Sequence, residues 1–459
     1  MKTLKLAILA CFVAITVWTI PSFRVVEGQD KKGQRVDVKS EFTGGASERS
    51  ATVTTNDIAT ESLAGWGVSL GQVSDEFPDF AVNKEAFNTD EFFDETGAIN
   101  PAIGPVYNET GCGKCHGNPV IGGSSHVFEM RAGHFDSVNN RFVDHPGDSL
   151  IHSRSTEPKL QEQILAGNEV RAARGSLPIF GDGLLECIDS NDMFQISQDQ
   201  PGQSGGRIQG QFIEVPVAEA GGLRRGGRFG WKNQNASLLS FAGDAYVNEM
   251  GITTPLFPNE NTSNGRSVVG ADTAPTGCVG LACLTTPDEE DNDDIEKFAA
   301  FMRALAPPPV DQDIAGTFDS QEGSRLFSSV GCNICHVRNF TTLPAGTVIN
   351  RGAFTVPAAL GNKVIHPLSD LLLHDIGTGD GIVQNGGQST RNKVRTMPLW
   401  GLRVRNRFFH DGSALTVDDA IRRHAGEAID VIRRYRGDAV PGALNSTQRR
   451  QILTFLSSL

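Results

Sequence analysis

The chain is 459 residues long and carries 54 acidic against 41 Lys and Arg side chains, a formal net charge of -13. That acidic balance argues against nucleic acid as a partner. With a leader set aside, about 430 residues remain, enough for two or three globular units with substantial buried cores.

Lys2 and Lys5 precede the apolar run LAILACFVAITVWTI. At about fifteen residues it has the length of a signal-peptide h-region and is short for a membrane span. Residues 1–28 therefore read as a signal peptide or N-terminal anchor, which places the protein in the periplasm or cell envelope. No A-x-A cleavage site is evident, so an uncleaved anchor, the one route to a membrane, stays open. Cys11 lies too early in the run for a lipidation site. Residues 29–62 are polar, rich in Ser, Thr and charge, and aperiodic, which is the composition of a flexible arm.

The pattern Cys-x-x-Cys-His occurs twice, at Cys112, Cys115, His116 and at Cys332, Cys335, His336. Each copy reads as a c-type haem attachment site, in which two thiols form thioethers with the porphyrin and the adjoining His becomes the proximal iron ligand. Cys-x-x-Cys pairs also serve as zinc ligands or redox dithiols. A His directly after both pairs, in an exported chain, favours haem. Of the remaining cysteines, Cys278 and Cys283 are close enough for a local disulfide, and Cys187 is left as a buried thiol. The basic segment LRRGGRFG, Leu223 to Gly230, could pass for an RNA-binding RGG element; in an acidic exported chain it reads instead as a loop contacting haem propionates.

A domain of residues 63–306 ends with an amphipathic helix whose apolar positions are Ile295, Phe298, Met302 and Leu305, stopped by Pro307, Pro308 and Pro309. The acidic residues before it suit the helix N-terminus and lack the Gly of a calcium loop of EF-hand type. A second domain, residues 311–459, opens with a helix in FDSQEGSRLFSSV that runs into the second haem motif and closes with a helix in STQRRQILTFLSSL. Helix, haem motif and terminal helix follow one another as in a cytochrome c domain. The expected fold is all-α: two cytochrome c-like domains in tandem with long irregular loops.

The halves repeat. From His116 to Pro178 of PIFG, and from His336 to Pro398 of PLWG, the interval is 62 residues. Arg174 and Arg395 precede these elements, and RFGW (Arg228–Trp231) is echoed by RFFH (Arg407–His410). A duplicated haem domain, one copy enlarged by a Gly-rich insertion, accounts for this.

At this point RTMPLWGLRVRNRFFHDGSALTVDDAIRRH resembles the C-terminal signature of bacterial dihaem cytochrome c peroxidases, and FGWKNQNASLLSFAGDAYVNEMG resembles the peroxidase run that carries the catalytic glutamate. With GPVYNETGCGKCH, GDGLLE, EKFAAFMRALAPP and DLLLHDIG, the chain from about Gly65 to Leu459 is most similar to dihaem oxidoreductases labelled thiol oxidoreductase-like. The resemblance implies two haem c groups and a calcium ion between them, hydrogen peroxide as the small oxidant, and a redox donor protein or quinol-linked cytochrome as the partner.

It also implies residue roles. Glu249 takes the catalytic position at the first haem, where a carboxyl can relay the proton that O–O cleavage needs; Met250 is the alternative, an axial sulfur. Trp231 aligns with a tryptophan lying between the haems and becomes an electron conduit. His424 replaces a methionine as distal ligand of the second haem, which lowers its potential and makes it an electron relay. His134 is the nearest candidate for a displaceable distal ligand of the first haem. His374 is structural or bonds a propionate. The leading function is peroxide reduction at the N-terminal haem. A non-catalytic electron-transfer cytochrome is the alternative. So is an oxidase of a protein or thiol, although the dihaem enzymes of that kind place Tyr where this chain has His424.

Overall fold

The computed structural model describes residues 70, 77–91, 103–272, 289 and 293–459. The leader, the arm and the Cys278/Cys283 pair lie outside the described residues. No described helix is long and apolar enough to cross a membrane.

The fold is not all-α. It is 34% helical with 16% strand, distributed over many small sheets. The largest is antiparallel: β1 (Phe128–Asp136) pairs with β2 (Arg141–Asp144), β3 (Leu150–Ile151) and β4 (Val170–Gly175). The other described ladders are two-stranded, with strands of two or three residues. The sheet escapes a reading by alternation because Glu129 and Arg131 of β1 line an internal cavity. Phe128, Met130 and Ala132 alternate with Glu129 and Arg131, but the charged face is turned inward, with Arg131 buried and Met130 exposed, so alternation alone assigns Glu129 and Arg131 to solvent. The short ladders are too brief to leave any periodic signature.

The helix expected from the spacing of Ile295, Phe298 and Met302 is present at Asp294–Ala304. Helix α1 (Phe80–Asn88), α2 (Leu238–Met250) and α3 (Asp294–Ala304) pack together around aromatic rings: Phe87 lies 4.9 Å from Phe301, and Tyr246 meets Phe298 edge-on at 5.2 Å. Ile295, Phe298 and Met302 are buried, as is Leu305 just past the helix end. Arg303, in the last turn of α3, forks onto Glu186 at 2.7 and 3.0 Å. The same carboxylate accepts the Leu238 N–H and so ties α2 to the pair.

In the C-terminal half, α4 (Phe318–Val330) crosses the terminal helix, α7 (Ser446–Leu456), with α5 (Val417–Arg423) and α6 (Ile429–Arg436) alongside. The crossing depends on Gly323, where a Cβ would stand 1.9 Å from the Gln451 carbonyl oxygen. Phe327 and Phe455 meet beside it at 5.6 Å. A capping box between Asn445 and Gln448 starts α7.

The repeat is visible in the backbone. Gly181 of PIFG and Gly401 of PLWG both adopt left-handed conformations, with φ of 74° and 67°. A Cβ on Gly181 would lie 2.2 Å from the Trp400 ring, so the two motifs pack directly on one another. The RFGW and RFFH turns close with matching bridges, Phe229 to Asn235 and Phe408 to Ala414. They are also cross-tied: the Arg395 N–H donates to the Trp231 carbonyl at 2.9 Å, and the Gly175 N–H to the His410 carbonyl at 2.8 Å.

Candidate functional site

Two cavities, one at each pentapeptide, make up the site. The first, about 180 Å³, is lined by Cys112, Cys115 and His116 with Phe87, Trp231 and Glu249. The second, about 250 Å³, is lined by Cys332, Cys335, His336 and His424 with Phe327 and Trp400. In each, an aromatic ring steadies the motif histidine: Phe87 is 6.0 Å from His116 at 56°, and Phe327 is 5.9 Å from His336 at 58°.

The histidines are held as iron ligands would be. His116 Nδ1 donates to the Gly123 carbonyl at 3.3 Å, and His336 Nδ1 to the Leu368 carbonyl at 2.9 Å. His424, which ends α5, donates Nδ1 to the Ala420 carbonyl at 2.7 Å. A carbonyl on Nδ1 fixes the tautomer and leaves Nε2 with its lone pair. Burial pushes all three imidazoles down, His424 to about 4, so they are neutral as metal binding requires. The structure thus brings His424 into the cavity of His336.

Among the described residues, His116 is the one histidine that lines the first cavity. His134 does not reach it. The ring sits half exposed on β1, bonded to Glu169 at 2.9 Å. Strand alternation sends His134 to the face opposite Glu129 and Arg131, so it lies apart from the position expected of a distal ligand.

Glu249, in the last turn of α2, accepts a hydrogen bond from Asn108 Nδ2 at 2.8 Å. Its main-chain carbonyl receives the Asn108 and Glu109 N–H groups. Burial and the adjacent Glu129 carboxylate raise it to about 8. Burial would raise Glu129 too, but Arg131 and Arg174 more than offset it and hold that carboxyl below its usual range. Glu129 and Arg131 are site residues that sequence reasoning missed. Met250 lines the same cavity beside Glu249.

Trp231 and Arg395 line both cavities. The indole N–H of Trp231 donates to the Gly175 carbonyl at 2.8 Å.

A family model described as "Di-haem oxidoreductase, putative peroxidase" matches residues 126–459. The chain belongs to the di-haem oxidoreductase family. It is accordingly an oxidoreductase with two haem cofactors. Among solved structures it is similar to the dihaem peroxidase BthA from Burkholderia thailandensis E264, at 14% identity over 83% of this chain and 86% of that one, with a TM-score of 0.40. Hydrazine synthase from Kuenenia stuttgartiensis is 15% identical over 83% and 87%, with a TM-score of 0.37. A MauG-like protein associated with microbial copper homeostasis is 17% identical over 61% and 89%, with a TM-score of 0.29. At such scores these likenesses say nothing of substrate. No curated protein matches the chain.

The cavities of this di-haem oxidoreductase fit the group. Besides the thiols and the free Nε2 atoms, Arg395 Nη1 and His410 Nδ1 are buried without a hydrogen-bond partner, and both residues line the second cavity, where porphyrin carboxylates would meet them. The LRRGGRFG loop does not play that part. Arg228 is fully buried and donates to the Leu185 and Ile188 carbonyls, while Arg225 reaches Asn350 and the Glu186 carbonyl. These arginines close backbone turns, because a buried guanidinium takes the nearest carbonyls. His374 is bound by Asp370 and Glu427 at 2.8 Å each and is held well above the ordinary histidine range. Burial pushes the Cys187 thiol up to about 12 and makes it inert.

Outside both cavities, Glu260, Asp272 and Glu289 bring carboxylate oxygens within 4.8 Å of one another. Burial and mutual repulsion push Glu260 to about 9 and Glu289 to about 7.

Proposed function

We propose that this di-haem oxidoreductase is an exported c-type enzyme that reduces hydrogen peroxide in the first cavity with electrons relayed through the second. One observation supports this most: among the described residues the first cavity is lined by one histidine, His116, and an acid, Glu249, whereas the second brings His424 together with His336, each donating Nδ1 to a main-chain carbonyl. A haem held by His116 alone would leave room for an oxidant, whereas one held by both His336 and His424 would be suited to electron transfer. Haem, when bound, supplies the redox-active iron.

The chain's own groups do the rest. Cys112, Cys115, Cys332 and Cys335 would tether the two porphyrins, and His116 and His336 would bind their irons. Glu249 carries a proton at neutral pH and can lend it to an oxygen leaving the substrate, while Asn108 fixes the orientation of the carboxyl. Trp231, on the wall shared by the cavities, lies on the electron route. The electrons come from a redox donor protein or a quinol-linked cytochrome in the cell envelope. Glu260, Asp272 and Glu289 offer the oxygen chemistry that calcium takes, although they lie outside both cavities and not at the position between the haems that the resemblance implies.

A plain electron-transfer cytochrome is the second reading, since it needs the same His336 and His424 pair. Binding of an exogenous ligand separates the two. An iron that takes cyanide in the ferric or half-reduced protein, with peroxide turnover lost in Glu249→Ala, upholds the peroxidase; two inert irons retire it.

A further inference from the structure

We infer that Glu129 is a positioning residue that shares a single proton with Glu249 and keeps it on Glu249. The inference rests on the proposed role of Glu249 as proton donor.

The two carboxyls come from different elements, Glu129 from β1 and Glu249 from the last turn of α2, and both line the first cavity, close enough that each shifts the other's proton affinity. Two carboxyls so placed cannot both be ionised at little cost, so one proton stays between them. Neighbours decide which residue owns it. Glu129 receives Arg131 Nε at 2.8 Å and Nη2 at 3.4 Å, with Arg174 Nη1 at 3.7 Å. Glu249 receives only the neutral Asn108 amide. The negative charge therefore belongs to Glu129 and the proton to Glu249.

The other charged groups around the pair do not reverse this. Asp244, one turn back on α2, is occupied by Asn235 and Asn248. Glu109 is paired with Arg154. Asp182 and Arg395 line the same cavity and attract each other. Asp148 stands 4.0 Å from Arg131. Arg131 is the cation that acts on Glu249, and its guanidinium is committed to Glu129. Arg174 is anchored in turn by Asp380 from the other half of the chain, Nε to Oδ2 at 2.8 Å.

When Glu249 gives its proton to a substrate oxygen, the pair passes from one negative charge to two. Repulsion then drives the proton to be taken back, and the acid is restored. A carboxylate serving only to anchor Arg131 would need no second carboxyl against it.

The test is infrared titration of the protonated carboxyl absorption in the holoprotein, with the band of Glu249 assigned as the difference between wild type and Glu249→Gln, in which the contributions of Glu260 and Glu289 cancel. In wild type the band should persist at neutral pH. In Glu129→Gln it should be lost about one pH unit lower or more, a tenfold change in proton affinity, and Glu129→Asp should restore part of the shift. Arg131→Gln provides a second arm should Glu129→Gln not fold: with less positive charge nearby, the band should persist to higher pH. A band that titrates alike in all these proteins, or is absent from wild type at neutral pH, overturns the inference. A band that shifts as expected in a protein without peroxide turnover retires the peroxidase reading and leaves the shared proton standing. Turnover with an unshifted band retires the shared proton alone.

Discussion

Trp231 and His410 meet edge to face with ring centroids 6.1 Å apart, at corresponding positions of the two RF-containing repeats. Each turn is held by a hydrogen bond from the other repeat, so the pair sits where the halves interlock. Trp231 faces both cavities, and its indole N–H fixes the ring through the Gly175 carbonyl. Trp231→Phe should keep an aromatic ring but lose that bond and part of the ring's bulk, and destabilise the protein by about 1 kcal/mol or more. Trp231→Leu should in addition slow re-reduction of the first haem while leaving reduction of the second unchanged. Stopped-flow absorption at the two haems reads both effects.

Glu249→Ala should lower peroxide turnover by roughly 10²–10⁴-fold, the usual contribution of a positioned acid–base group. Haem content and the reduction of the second haem should not change. Steady-state turnover, with haem stoichiometry determined on the same sample, checks this.

Turnover should also carry the pH signature of a raised carboxyl. Glu249 is pushed up to about 8, so the protonated form persists through neutrality and activity should fall as pH rises through about 8. The sign for stability follows from linkage. A carboxyl whose folded pKa lies above its unfolded value binds more protons when folded. Its contribution is complete below the ordinary carboxylate range and is lost as pH climbs toward 8. Glu249→Gln should flatten both dependences.

His424→Met should raise the midpoint potential of the second haem, within the roughly 0.8 V span that axial ligands command. Thioether sulfur favours ferrous iron where imidazole favours ferric. Redox titration of the variant should show one potential moving and the other holding.

Gly323→Ala should destabilise the C-terminal half, because its Cβ would stand 1.9 Å from the Gln451 oxygen and α4 would have to lift off α7. Overpacking of this kind typically costs about 1–3 kcal/mol. Thermal unfolding followed at the second haem's absorption should show the loss directly.

How much of this was legible depends on where the side chains point. Ile295, Phe298 and Met302 face one core at helical spacing, so α3 could be read before it was seen; α4 and α7 likewise announce themselves by period and caps. The pentapeptides point to attachment through the chemistry of two thiols and an adjoining histidine, a reading that needs no tertiary context. Glu129 and Arg131 were illegible for the opposite reason: charged residues on a strand read as solvated, and only the fold turns that face toward a haem cavity. His134 was misplaced because an interval of residues along the chain does not say which face of a strand a ring will occupy. His424 gave a clearer signal, since resemblance fixed its position relative to the HDG turn and the Ala420 carbonyl fixes its tautomer.

Cyanide titration of the purified ferric and half-reduced holoprotein, followed by electron paramagnetic resonance, tests the division of labour most directly. The account predicts two haems per chain, one taking cyanide and the other remaining low-spin and unreactive, with Cys112→Ala/Cys115→Ala removing the reactive one. Two unreactive haems, or binding confined to the haem held by Cys332 and Cys335, would contradict it.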